Sequence, residues 1–232
     1  MARPAAVSHW PQPATPARSA QPPAGPTLPL QGENLLIRPL QRPDLDSRQM
    51  WPPYNDPLHL IWDMPRCSPR ENDGWFAQMN DGRHRLAYGV DNLAGRLIGM
   101  ISLREVNWGR SARLGISFSS DYVGLGYGTA AMQLFLPHFF LTLGFHQMLL
   151  DVAAANVRAV RCYQKLGFHH IATRWQTVDG ALDPQLLDLP AYSALRSFFR
   201  WSWGRAETVY YDMELPKGDW EEEERRRAAL AP

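Results

Sequence analysis

NVRAVRCYQKLGF (residues 156–168) holds a whole helix with both of its ends. Asn156 is a residue type that caps a helix N-terminus, because its side-chain oxygen can accept an orphan backbone N–H. Val157, Val160 and Tyr163 follow at spacings of three and share one side, while Arg158, Arg161 and Lys165 share another. Gly167 suits the left-handed residue just past a helix end, and Phe168 the apolar partner that folds back on the last turn. The spacing predicts a helix from Asn156 to Leu166, with strands on either side: HQMLLDVAAA (146–155) before it and FHHIATRW (168–175) after it.

One helix and one strand upstream lies DYVGLGYGTAAM (121–132), with glycines at 124, 126 and 128. Glycines let a backbone approach a ligand closely, and free N–H groups at a helix N-terminus favour an anion, so this stretch reads as a phosphate cradle. A nucleoside-triphosphate loop needs a lysine and then Ser or Thr after its last glycine; Gly128 is followed directly by Thr129, which excludes it. A dinucleotide fingerprint fits Gly126, Gly128 and Ala131, with Asp151 ending an apolar strand where a ribose-binding acid belongs. That reading implies a nicotinamide-dependent oxidoreductase. It leaves residues 156–168 unexplained, and Ser119, Ser120, Asp121 and Tyr122 separate its glycines from the preceding strand.

A third reading uses both stretches. Gly126 and Gly128 resemble the two glycines of motif A of the GNAT N-acetyltransferase superfamily, and Asn156, Ala159, Tyr163, Gly167 and Phe168 resemble its next hallmark. The resemblance runs over roughly residues 33–215 and is nearest to the enzymes that acetylate protein N-termini, the ribosomal-protein type. It implies an α/β fold, a mixed, twisted sheet of about six or seven strands flanked by helices. It implies transfer of an acetyl group from acetyl-CoA to a primary amine by direct attack in a ternary complex. The acceptor would be a protein N-terminus or a small amine such as a polyamine or an antibiotic.

The resemblance also assigns residues. Tyr163 matches the general acid for the leaving thiolate. Asp151 stands where relatives carry a glutamate base, and Glu105 is the runner-up. Ile116, Ser117 and Phe118 match the strand that pairs with pantetheine and supplies an oxyanion donor. The backbone of Gly124, Leu125, Gly126, Tyr127, Gly128 and Thr129 would take the pyrophosphate, Asn156 the pantetheine arm, and Arg158, with Arg161, the 3′-phosphate. Two positions depart from the pattern: Val123 replaces the motif's Arg or Gln, and Arg113 replaces a glutamate common among relatives. These departures support an alternative from another class, a non-catalytic acyl-CoA-binding or interaction module.

The remaining sequence frames this core. ENLLIRPL (33–40), RLAYGVD (85–91), RLIGMISLREV (96–106), ARLGISFSS (112–120) and ETVYYDMEL (207–215) read as strands, the second and third joined by a hairpin at NLAG. Gly115 inside its strand marks a bulge or a close backbone approach. Short helices are expected at Asp44–Met50 and Asp73–Met79, and Pro137 should kink or divide the helix that follows the glycines. Residues 1–31 hold eight of the twenty prolines and no acid, and read as a disordered extension. The domain proper is expected over 32–216, with an aromatic-rich insert at about 176–206 that covers a substrate, binds a second subunit or packs on its own core. Residues 217–232 read as a charged, self-paired helical tail.

A length of 232 residues with 45% hydrophobic content suffices for one domain with a real core. A net charge of +1 argues against binding nucleic acid by bulk charge. Cys67 and Cys162 are too few for a disulfide framework and suit a reducing cytoplasm. No Cys/His cluster has metal-ligand spacing and no apolar run has membrane length, so neither a metal nor a membrane partner is expected. The chain is expected to be a monomer or homodimer. His169 and His170 alternate across their strand, so one should face inward.

Overall fold

The computed structural model describes residues 25–59, 63, 65–178 and 182–230. In chain order the elements are β1 (Leu30–Gln31), β2 (Leu35–Pro39), α1 (Arg42–Arg48), α2 (Pro69–Met79), β3 (Leu86–Asn92), β4 (Leu97–Asn107) and β5 (Ser111–Phe118). Then come α3 (Tyr127–Pro137), β6 (Gln147–Ala153), α4 (Val157–Lys165), β7 (His169–Thr177), β8 (Phe199–Ser202), β9 (Arg205–Pro216) and α5 (Lys217–Leu230). The strands form one nine-stranded sheet in the order β1-β2-β3-β4-β5-β6-β9-β7, with β8 paired to β9. The seven strands read from the sequence are all present; the two extra ones, β1 and β8, are too short for a periodic signal.

Strand alternation divides the core. Ala87 and Met100 face α1 and α2 with Leu40 and Leu45, while their neighbours Tyr88 and Ile101 face the opposite layer with Phe135 of α3. Trp51 and Trp75 pack in the first of these clusters. Pro137 marks a break in its helix, as expected. It ends α3, and a π turn over His138–Thr142 continues it, with the Leu143 N–H donating to His138 O at 2.9 Å. Residues 25–31, counted with the extension on composition, belong to the packed structure. Pro26 O contacts His138 Nδ1 and accepts from Thr142 Oγ1, each at 2.7 Å, and Leu30 is buried.

The feature that creates a site is the one parallel pairing of the sheet. β5 and β6 are in register from Ser111↔Gln147 to Leu114↔Leu150, and there the pairing stops. Beyond it β5 stays with β4 as far as Gly99↔Phe118, and β6 stays with β9 as far as Ala153↔Tyr210. Gly115–Phe118 and Asp151–Ala153 therefore open a cleft between them. Gly115 makes no bulge: it pairs in register with Ser102 of β4, whose Oγ would stand 2.6 Å from a Cβ there and would have to turn away, so glycine permits the close approach.

Candidate active site

The cleft encloses about 1110 Å³ and is bordered by β5, the glycine turn, β6 and α4. Gly124 (φ 82°) and Gly126 (φ 87°) both take the left-handed conformation, which an L side chain would strain. Gly126 is the N-cap of α3, and the first backbone bond of the helix runs from Ala130 N–H to Gly126 O at 3.0 Å. The N–H groups of Tyr127, Gly128 and Thr129 thus have no intrahelical acceptor. Nothing lies within 4 Å of where a Cβ would stand on Gly124 or Gly126. Open space over orphan donors at a helix N-terminus is the geometry that a pyrophosphate requires, so the residues fit the implied coenzyme A.

Helix α4 forms the other wall. Asn156 Oδ1 accepts from Ala159 N–H at 3.2 Å, the expected cap. At the far end the Phe168 N–H donates to Tyr163 O at 3.0 Å and the Gly167 N–H to Gln164 O at 3.1 Å, with Gly167 at φ 94°. This is a Schellman motif, and its hydrophobic contact is Phe168 against the Tyr163 ring, edge-on at 5.7 Å. The Gly-Phe pair therefore fixes the tyrosine that lines the cleft. Burial pushes the Tyr163 phenol well above its usual value, with Cys162 and Asp151 adding to the effect. Cys162 itself contacts Thr129 Oγ1 at 3.2 Å and ties α4 to the first turn of α3.

Asp151 lines the cleft at the divergence point, and it is not alone there. Arg104 of β4 hydrogen-bonds its Oδ1, while Arg113 of β5 and Arg174 of β7 stand 3.6 and 3.7 Å away. Asp212 of β9 takes the same Arg113 at 3.2 Å and Arg174 at 2.9 Å. Glu105 joins the network at 2.9 Å from both Arg104 and Arg113. Arg104 and Arg113 lie directly opposite each other across β4 and β5, a repulsive pairing that the interleaved carboxylates offset. Glu105, the runner-up base, stands apart from the cleft: its side chain is 58% exposed, it is not among the lining residues, and its hydrogen bond to Arg113 holds its carboxyl below the usual range. A bulge between Arg104 and Asn107, with Glu105 at φ 52°, turns it away.

Of the other expected residues, Ile116, Ser117, Phe118, Gly124, Gly126, Gly128, Thr129, Asn156 and Arg158 line the cleft. Leu125 and Tyr127 do not contribute side chains to it: Leu125 is exposed, and Tyr127 packs edge-on against Tyr122 at 5.3 Å. Arg161 and Lys165 line it as well. His169 and His170 are both exposed, contrary to the alternation argument, because β7 is the sheet's edge strand and carries a bulge between His170 and Ala172. In the loop after α1, Tyr54 lines the cleft, with its hydroxyl donating to Phe118 O at 2.8 Å, whereas Trp51 donates to Leu97 O at 3.2 Å as a loop anchor. Sequence reasoning missed His59, Asp63, Arg104 and Tyr210, which carry no local motif and reach the cleft through tertiary structure. Among the described residues there is no group of three or more metal-ligating side chains.

Residues 34–169 match the family model described as an acetyltransferase (GNAT) domain, so the chain belongs to the GNAT acetyltransferase family. Among curated relatives, the spermidine N(1)-acetyltransferase of Vibrio cholerae is 32% identical over 80 residues, covering 34% of this chain and 46% of that protein. The Escherichia coli K12 protein of the same name is 35% identical over 75 residues, covering 32% and 40%. The matched region thus spans about half the length of these relatives. A solved structure of spermidine N-acetyltransferase from Vibrio cholerae with CoA and spermine superposes with a TM-score of 0.62 at 21% identity, over 82% of this chain and 99% of that one. These relatives correct the expectation that the chain stands nearest to enzymes acetylating protein N-termini.

Proposed function

We propose that the protein transfers the acetyl group of acetyl-CoA to the primary amine of a small molecule, by direct attack within the cleft between β5 and β6. The observation that carries this reading is the conjunction of Gly126-capped α3 and the cleft-facing Tyr163 of α4 across one strand divergence. Acetyl-CoA supplies the activated thioester. The N–H groups of Tyr127, Gly128 and Thr129 hold its pyrophosphate, and Arg158 and Arg161 face its 3′-phosphate. Backbone groups of Ile116–Phe118 on the diverging β5 orient the pantetheine arm with Asn156, and one of their N–H groups points at the developing oxyanion. Burial keeps the Tyr163 phenol protonated, so it donates a hydrogen bond to the leaving sulfur and stabilises the thiolate as the C–S bond breaks; the pKa order, phenol above a thiol near ~8.5, makes this stabilisation rather than downhill proton transfer its contribution.

Asp151 is our candidate to receive the proton of the attacking ammonium through water, since it lines the cleft and acts electrostatically on Tyr163. A primary amine is mostly protonated at neutral pH and attacks through its neutral fraction, so turnover rises with pH. The dinucleotide alternative does have a βαβ unit in β5-α3-β6, but the neighbouring pairings of both strands are antiparallel. The test is free-thiol release from acetyl-CoA across primary amines, peptides and aminoglycosides. Thiol release that depends on a small amine is the expected result; acetyl-CoA binding without release across the panel overturns the reading.

A further inference from the structure

The next step rests on that transferase reading and concerns its acceptor. The described lining of the cleft carries four full cations, Arg104, Arg158, Arg161 and Lys165, against two carboxylates, Asp63 and Asp151. The three cations of α4 face the anionic cofactor under this reading. The acceptor end is left with Arg104, Asp151 and Asp63, a balance of one negative charge. Asp151 has little to offer a further cation, because Arg104 hydrogen-bonds it and Arg113 and Arg174 stand within 3.7 Å. The rest of this end is apolar or aromatic. The Tyr54 ring is fixed by its hydroxyl's bond to Phe118 O at 2.8 Å, and His59 lies edge-on to it at 5.7 Å. Burial lowers the His59 pKa, Asp56 at 3.9 Å opposes this, and Arg158 adds to it until the cofactor's 3′-phosphate takes its charge under this reading. Pro65 and Tyr210 complete the end.

We propose that this site takes a primary amine of single positive charge with an aromatic or apolar body, and discriminates against polyamines. A single ammonium matches the residual charge and can sit over an aromatic face. A polyamine brings further ammonium groups for which the described lining has no unengaged second carboxylate, and it faces Arg104. The chain would thus differ in acceptor from the spermidine acetyltransferases it resembles.

The experiment compares phenethylamine with spermidine in two readouts: kcat/KM by thiol release, and calorimetric titration of each amine into protein saturated with CoA. Phenethylamine is expected to lead in both, by about tenfold or more. Spermidine equal or better in both overturns the inference and leaves the transferase reading standing. If no amine releases thiol, the transferase reading falls, and the calorimetric ranking alone decides the acceptor preference. Pro65→Glu adds a carboxylate at an exposed lining position where Arg48 bonds only the backbone carbonyl, at 2.7 Å. It should shift the ratio towards spermidine by about fivefold. An unchanged ratio would show that charge at this end does not select the acceptor.

Discussion

Tyr163 illustrates how much one side chain owes to its neighbours. Its ring is held by Phe168 and its phenol is pushed up by burial, so it stays protonated through the neutral and mildly alkaline range. Tyr163→Phe should therefore lower kcat by about 10²-fold while acetyl-CoA affinity, read by calorimetry, stays within twofold or so. Unchanged turnover would remove Tyr163 from the chemistry. The wild-type pH–rate profile should show no descending limb below the ordinary phenol value near ~10, since a raised pKa moves the loss of the proton to higher pH. Asp151→Asn tests the other proton. If the carboxylate accepts from the amine, the ascending limb of kcat/KM moves to higher pH; an identical profile leaves Asp151 as an anchor for Arg104. Tyr163 and Asp151 were both legible as candidates because each keeps a fixed distance in sequence from Asn156. The arginine cage around Asp151 was not, because Arg104, Arg113 and Arg174 come from three strands that meet only in the sheet.

At the scale of elements, the informative features are helix ends. The C-terminus of α4 and the N-terminus of α3 were readable because glycine at a positive φ has a local, chemical reason to be there. Gly167→Ala should destabilise the protein by about 1 kcal/mol in urea unfolding, since an L residue at φ 94° is strained and a Cβ would touch Leu215 Cδ1 at 3.4 Å. It should also lower kcat, because the same cap sets Tyr163. Gly126→Ala separates strain from function. Its Cβ meets no protein atom within 4 Å but projects at the phosphate cradle, so acetyl-CoA affinity should fall by about tenfold beyond any loss of stability. Affinity unchanged in calorimetry would place the pyrophosphate elsewhere. The insert was less legible. Its Leu187 and Phe199 build a second core with Leu58 and Ala155, and Tyr192 OH donates to Asp56 at 3.1 Å. No local periodicity reveals that an insert and a loop more than a hundred residues apart share one cluster.

For the molecule as a whole, the C-terminal helix shows where charge pattern misleads. Glu222–Arg226 and Glu223–Arg227 pair as the sequence suggests, which reads as a solvated tail. Yet Trp220 of the same helix is 6% exposed and stacks on Phe140 at 5.0 Å, so α5 is docked on the main core. Arg227 also donates to Lys165 O at 2.9 Å, joining α5 to the end of the helix that carries Tyr163. One tryptophan among glutamates gives no amphipathic signal, which is why docking was not legible. Trp220→Ala should cost about 3 kcal/mol or more, measured as a shift of the urea midpoint at constant slope. Trp220→Phe makes the sharper test. The indole Nε1 is buried without a partner, so replacing it keeps an aromatic stack while removing an unsatisfied donor. The two effects, a smaller ring and a recovered desolvation cost of about 1 kcal/mol, oppose each other, and the Phe variant should lie within about 1 kcal/mol of wild type. A loss as large as that of the alanine variant would mean that the indole N–H is bonded in solution and that α5 docks through that bond as well as through the stack.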